Sequence, residues 1–177
     1  KVDGKIFNIT DDINIDKNIE RTANRPLVSN KISITEAILL LLLLLSVAFL
    51  ILLQFKIISI LLGLVSIPLI VLYPYMKRYT NWPQLFLGLV FSWGVLIVAI
   101  EFYEKIDFYF LLLYIACVSW TLAYDTIYAY QDRKDDITNN IKSTAILFGS
   151  KGYLFVIVFY VIFFLIIGFL GYRSSSS

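Results

Sequence analysis

In residues 120–149, WTLAYDTIYAYQDRKDDITNNIKSTAILFG, an apolar run hands over to a cluster of acids. Asp132 and Asp136 stand four residues apart and Asp125 seven before Asp132, so a helix through them carries all three on roughly one face, with Tyr128 beside them. Like charges at that spacing repel, more strongly in apolar surroundings, and call for a cation between them. A divalent metal is the simplest candidate; helix capping with local pairing to Arg133 or Lys134 is the plain structural alternative. Asp125 favours a site, because it lies in a run apolar enough to span a membrane, where an ionisable side chain costs about 2.5–3.5 kcal/mol on insertion.

A second acidic stripe lies near the start, in NITDDINIDKNIERTANRP. Asn8, Asp12 and Asp16 are spaced by fours, and each step of four drifts only about 40° around an α-helix. The stripe reads either as a set of hard oxygen ligands, suited to Mg²⁺ and not to zinc or copper, or as the solvated face of a juxtamembrane segment. A third group, Tyr73-Pro-Tyr-Met-Lys77-Arg78, places Tyr73 and Lys77 four apart. It reads as a cavity wall or as an aromatic belt with snorkelling bases. Asp12, Asp16, Asp132 and Asp136 together carry the charge that two Mg²⁺ would cancel, leaving Arg21, Arg25, Lys77 and Lys142 to hold an anion. A pyrophosphate fits, since its oxygens bridge two metals while Arg and Lys bind the remainder.

The elements that position these groups are membrane helices. Of 177 residues 59% are hydrophobic, with 14 Phe and 12 Tyr, and the mean hydropathy of +0.80 lies far outside the soluble range. Five stretches approach the roughly 20 residues that cross a bilayer: 34–55, 57–75, 84–100, 108–128 and 153–172. The first two are joined so tightly around Lys56 that they are expected to be adjacent and antiparallel. Pro68, inside the second, predicts a kink whose freed carbonyl a neighbouring helix satisfies. Ten Lys and Arg fall in the loops 17–33, 76–83 and 129–152, against three on the other side, Lys56, Lys105 and Arg173. The positive-inside rule therefore puts all the polar motifs on the cytoplasmic face. A net charge of only +2 suggests no nucleic-acid partner, and the absence of histidine removes His bases and His ligands together. Cys117, alone and within an apolar run, reads as an inert buried thiol. Residues 1–16 lack the h-region of a signal peptide. The chain starts within what reads as half a helix and ends in four serines directly after an apolar segment, so it is expected to be a piece of a longer protein.

These motifs together resemble the UbiA superfamily of intramembrane aromatic prenyltransferases, and within it the 4-hydroxybenzoate polyprenyltransferases of ubiquinone biosynthesis. The family's N-D-x-x-D-x-x-x-D motif is matched by Asn8, Asp12 and Asp16, with Ile9 where an Asp is usual. ERTANRPL is similar to its R-T-x-N-R-P-L loop and places Arg21 and Arg25. YPYMKRYTNWPQ, from Tyr73, follows its Y-P-x-M-K-R-x-T-x-x-P-Q pattern, and YDTIYAYQDRKDD with IKSTAILFG resembles the second aspartate motif and its trailing loop. The resemblance covers residues 1–172. Tyr130 stands where many relatives carry other residues, and Lys1 where they carry an Arg proposed to hold the benzoate carboxylate; Lys lacks that bidentate fork. Asp3 and Lys5 occupy positions usually small or apolar.

What the resemblance implies is an all-α, multi-pass transmembrane bundle, about five full spans and a partial N-terminal helix of a nine-helix fold, forming a single domain over 1–177 that is incomplete at both ends. Asp12, Asp16, Asp132 and Asp136 would hold Mg²⁺, Arg21, Arg25 and Lys77 the diphosphate, and Tyr73 would line the cavity near the reacting carbon. The implied reaction transfers a polyprenyl group from polyprenyl diphosphate to the ring carbon ortho to the hydroxyl of 4-hydroxybenzoate, in a bacterial or mitochondrial inner membrane. The rival readings are a UbiA-type transferase for another acceptor and an inactive truncated membrane remnant.

Overall fold

A computed structural model of the protein describes residues 24–175, and among them every regular element is helical. The chain divides into two compact units, Lys1–Gln54 and Phe55–Ser177. Five stretches are long and apolar enough to cross a membrane.

In the first unit, α1 spans Ile34–Leu52. Its start is fixed by a capping box: the Glu36 amide donates to Ser33 Oγ (3.2 Å) and the Ser33 amide to Glu36 Oε2 (2.7 Å), satisfying two amides that the helix itself leaves orphaned. None of its residues is buried within the described structure, as befits a leucine-rich helix made to face hydrocarbon or further helices.

The second unit contains α2 (Ile57–Tyr79), α3 (Pro83–Phe91), α4 (Gly94–Tyr103), α5 (Phe108–Gln131), the short α6 (Arg133–Thr138) and α7 (Thr144–Phe148), a 3₁₀ turn (Gly149–Lys151) and α8 (Gly152–Ser175). At its centre α5 is flanked by α3 and α4 on one side and α8 on the other, while α2 packs on α3 and α4. The buried face of α5 is made of small and weakly polar residues, among them Ala116, Ser119, Thr121, Ala123, Thr126 and Ala129. In a bilayer, where lipid tails are as apolar as leucine, close backbone approach takes the place of the hydrophobic drive, and small residues permit it. Gly88 of α3 shows how tight this is, because a Cβ there would lie 3.2 Å from Val118 of α5.

The stretch expected as one span at 84–100 is broken. α3 and α4 are separated by a turn at Ser92 and Trp93, and two side chains staple the break. Trp93 Nε1 donates to Leu62 O (3.0 Å) on α2, and Tyr114 Oη donates to Leu89 O (2.8 Å) from α5. The expected kink donor thus comes from a neighbouring helix but meets Leu62, two residues before the carbonyl that Pro68 leaves without its partner.

The connections sort to two ends. At one, Lys142 N donates to Lys77 O (2.8 Å), joining the loop after α6 to the end of α2. At the other, Lys56 Nζ pairs with Glu104 Oε1 (2.7 Å), and the ammonium holds that exposed carboxyl below the usual carboxylate range.

Candidate functional site

At the Lys142 end lies a cavity of about 300 Å³. The last turns of α5 supply Asp125 and Tyr128, and Asp132 follows directly at its end, the three spaced three and four apart. The helix through the acids is not continuous: α5 ends at Gln131, and Asp132 is at once its C-cap and the N-cap of α6. The register survives because Asp136 N still donates to Asp132 O (2.9 Å), which keeps Asp136 on the cavity side. Opposite, the C-terminal turn of α2 contributes Tyr73, Pro74 and Lys77, and the loop leading to α7 closes the wall with Ile141, Lys142 and Ser143. Seven residues singled out from the sequence, Tyr73, Lys77, Asp125, Tyr128, Asp132, Asp136 and Lys142, therefore line one space, although three helices and a loop supply them. Arg25 belongs to the first unit, where Ser29 N and Oγ both donate to its carbonyl (2.8 and 2.9 Å). Asn8, Asp12, Asp16 and Arg21 lie outside the described residues.

Two wall residues carry no chemistry obvious from their type, Gln84 and Ser143. Gln84, at the start of α3 and 7% exposed, accepts from Thr144 N (3.1 Å). Thr144 and Thr126 hydroxyls pair at 2.9 Å behind it, so α3, α5 and α7 meet in one buried polar knot. Lys142 Nζ reaches back to Tyr79 O (3.0 Å), satisfying a carbonyl at the end of α2 that the helix leaves open. The signals for these two were the W-P-Q and K-S-T tripeptides, which read only as helix starts until their partners are known.

The electrostatics are those of acids crowded beside two lysines, Lys77 and Lys142. Burial pushes the Asp136 carboxyl above the usual carboxylate range; the Ser143 hydroxyl and the Lys77 charge temper the rise, while Asp132 and Asp135 add to it. Among the described residues no three acids converge closely enough to form a metal cage. The donor set nevertheless fits Mg²⁺, which is usually held by one or two carboxylates plus substrate phosphates and water and not by an all-protein shell. Asp132 and Asp136 supply hard oxygens of that kind, and Lys77 a point charge for phosphate across the cavity.

The model of the UbiA prenyltransferase family matches residues 4–177. The chain belongs to the UbiA prenyltransferase family. Among its relatives in that family, a 4-hydroxybenzoate octaprenyltransferase of Francisella tularensis subsp. mediasiatica is 40% identical over 168 residues, 95% of this chain and 59% of that protein. One of the same name from Pseudoalteromonas translucida is 44% identical over 147 residues, 83% of this chain and 50% of the relative. The apo structure of a UbiA homologue from Aeropyrum pernix superposes with a TM-score of 0.74 at 25% identity, over 92% of this chain and 62% of that one. This UbiA chain thus spans between half and three-fifths of the length of these curated relatives.

Proposed function

We propose that this UbiA-family chain carries the carboxylate half of a Mg²⁺-dependent site that transfers a polyprenyl group from polyprenyl diphosphate to the ring carbon ortho to the hydroxyl of 4-hydroxybenzoate, in ubiquinone biosynthesis. The observation that supports it above others is that Asp125, Asp132 and Asp136 line one cavity together with Lys77 and Tyr73. The identity to 4-hydroxybenzoate octaprenyltransferases supports the choice of acceptor and donor.

In this reading Asp132 and Asp136 would hold Mg²⁺ beside the diphosphate end of the lipid substrate, and Lys77 neutralises phosphate oxygens. Mg²⁺, when bound, supplies the positive charge that stabilises the departing pyrophosphate. As the C–O bond breaks, pyrophosphate leaves with the electron pair, and the allylic carbon becomes cationic. Tyr73 and Tyr128 line the cavity and help to exclude water that would quench the cation. The electron-rich ring carbon of the acceptor attacks, and loss of its proton restores aromaticity. In the same reading Asn8, Asp12 and Asp16 complete the metal-binding set and Arg21 and Arg25 the phosphate-binding set.

The bundle end that carries the cavity also carries Lys77, Arg78, Arg133, Lys134 and Lys142, whereas Lys56 and Arg173 lie at the other. The proposed orientation is therefore cavity toward the cytoplasm, or the matrix in a mitochondrial inner membrane. The test is an assay of membranes with labelled polyprenyl diphosphate and 4-hydroxybenzoate. Product should require Mg²⁺, disappear with chelator and disappear in Asp132→Asn while membrane insertion persists. Substantial turnover by Asp132→Asn would refute the metal assignment.

A further inference from the structure

Ser143 occupies the N-cap of α7, where a serine hydroxyl ordinarily accepts from an amide of the first turn. Here it makes no such bond, and the first helical amide, Thr144 N, goes to Gln84 instead. On the other side Lys142 N is bound to Lys77 O. The serine is thus gripped from both flanks by bonds to α2 and α3, and only 2% of its surface is exposed. Yet its Oγ has no hydrogen-bond partner. Buried hydroxyls are almost always satisfied, so one held this firmly without a partner calls for an explanation. It lines the cavity with Asp136 and acts on that carboxyl, lowering its pKa, without a bond of regular geometry.

We infer that Ser143 is a positioning residue for Asp136: when the cavity is loaded, its hydroxyl donates to one oxygen of that carboxylate and leaves the other turned toward the ligand. The inference rests on the reading of Asp136 as a metal-binding carboxylate. The fixed backbone on both sides supplies the aim, and a small rotation of Asp136 supplies the bond. Partners of this kind around a metal ligand change metal affinity by about 10- to 100-fold when removed.

The intact protein in detergent is titrated with MgCl₂ in the presence of inorganic pyrophosphate, by calorimetry, as wild type, Ser143→Ala, Ser143→Thr and Asp136→Asn. In Ser143→Ala the Mg²⁺ concentration for half-saturation should rise about tenfold, and Ser143→Thr should recover most of the loss by restoring the hydroxyl. The melting temperature of unliganded Ser143→Ala should stay level or rise, since an unsatisfied buried hydroxyl is removed. A merely structural serine would do the reverse, lowering the melting temperature and leaving the Mg²⁺ titration unmoved; that result overturns the inference. If Asp136→Asn abolishes the titration while Ser143→Ala leaves it within about twofold of wild type, the positioning role falls and the metal reading survives. If neither changes it, both fall.

Discussion

Gln84→Leu isolates the bond that ties the first amide of α7 to α3. Leucine fills a similar volume but offers no acceptor, so the Thr144 amide, on a residue with no exposed surface, loses its partner at 3.1 Å. An amide stranded in this way costs about 1–3 kcal/mol. The five-residue α7 has no side-chain cap to take over, and the Thr126–Thr144 hydroxyl pair holds the side chain but not the amide. For a chain of this size each kcal/mol lowers the melting temperature by about 2–4 °C, so the expected loss is about 2–12 °C. The measurement is a thermal melt in detergent, combined with hydrogen–deuterium exchange, in which peptides covering residues 141–148 should lose protection before those of α5. If Gln84→Leu melts with wild type and the Thr144 amide exchanges no faster, the knot does not hold α7 and the account of the cavity wall is wrong.

Other expectations follow from the same contacts. At Gly152 a Cβ would overlap the Tyr130 ring, whose hydroxyl donates to Gly149 O (2.5 Å), so Gly152→Ala should cost about 1–3 kcal/mol from overpacking and about 1 kcal/mol more for the bond. Adding Tyr130→Leu should recover part of the lost melting temperature; no recovery would place the clash elsewhere. Because the Asp136 carboxyl titrates above its ordinary range, binding of Mg²⁺ and pyrophosphate should fail on acidification at a higher pH than an ordinary aspartate gives. Asp135→Asn, which removes a repelling charge, should move that limb to lower pH, and calorimetric titrations across pH would show it. The same shift acts on stability with opposite benefit: the raised value favours the protonated folded form, so its contribution is full below the unfolded pKa and lost as pH rises through the folded one.

The acids were legible because their spacing survives any helix that carries them, and the broken hinge at Asp132 preserves the register through one retained hydrogen bond. The spans were legible because roughly 20 apolar residues have few other uses. The break at Ser92 and Trp93 was not, since Gly88 and Gly94 on either side of it do not interrupt the apolar run, and its staples, Trp93 to Leu62 and Tyr114 to Leu89, join residues 31 and 25 apart in the chain. Gln84 and Ser143 escaped for a related reason: their importance lies in what they meet, 60 residues away for Gln84, and not in what they are. Lys142 was legible as a base beside an anion site, but not as the side chain that also closes the end of α2.

The small-residue face of α5 has a consequence for how damage to this protein would look. Ala116 and Asp125 are nine positions apart on one rigid rod, about 13 Å along its axis. Ala116 and Ala123 have no exposed surface, so a bulkier side chain at either would tilt the rod and carry the acids out of aim without touching them. Lesions that silence the chemistry should therefore also be found among plain buried alanines that touch neither metal nor substrate.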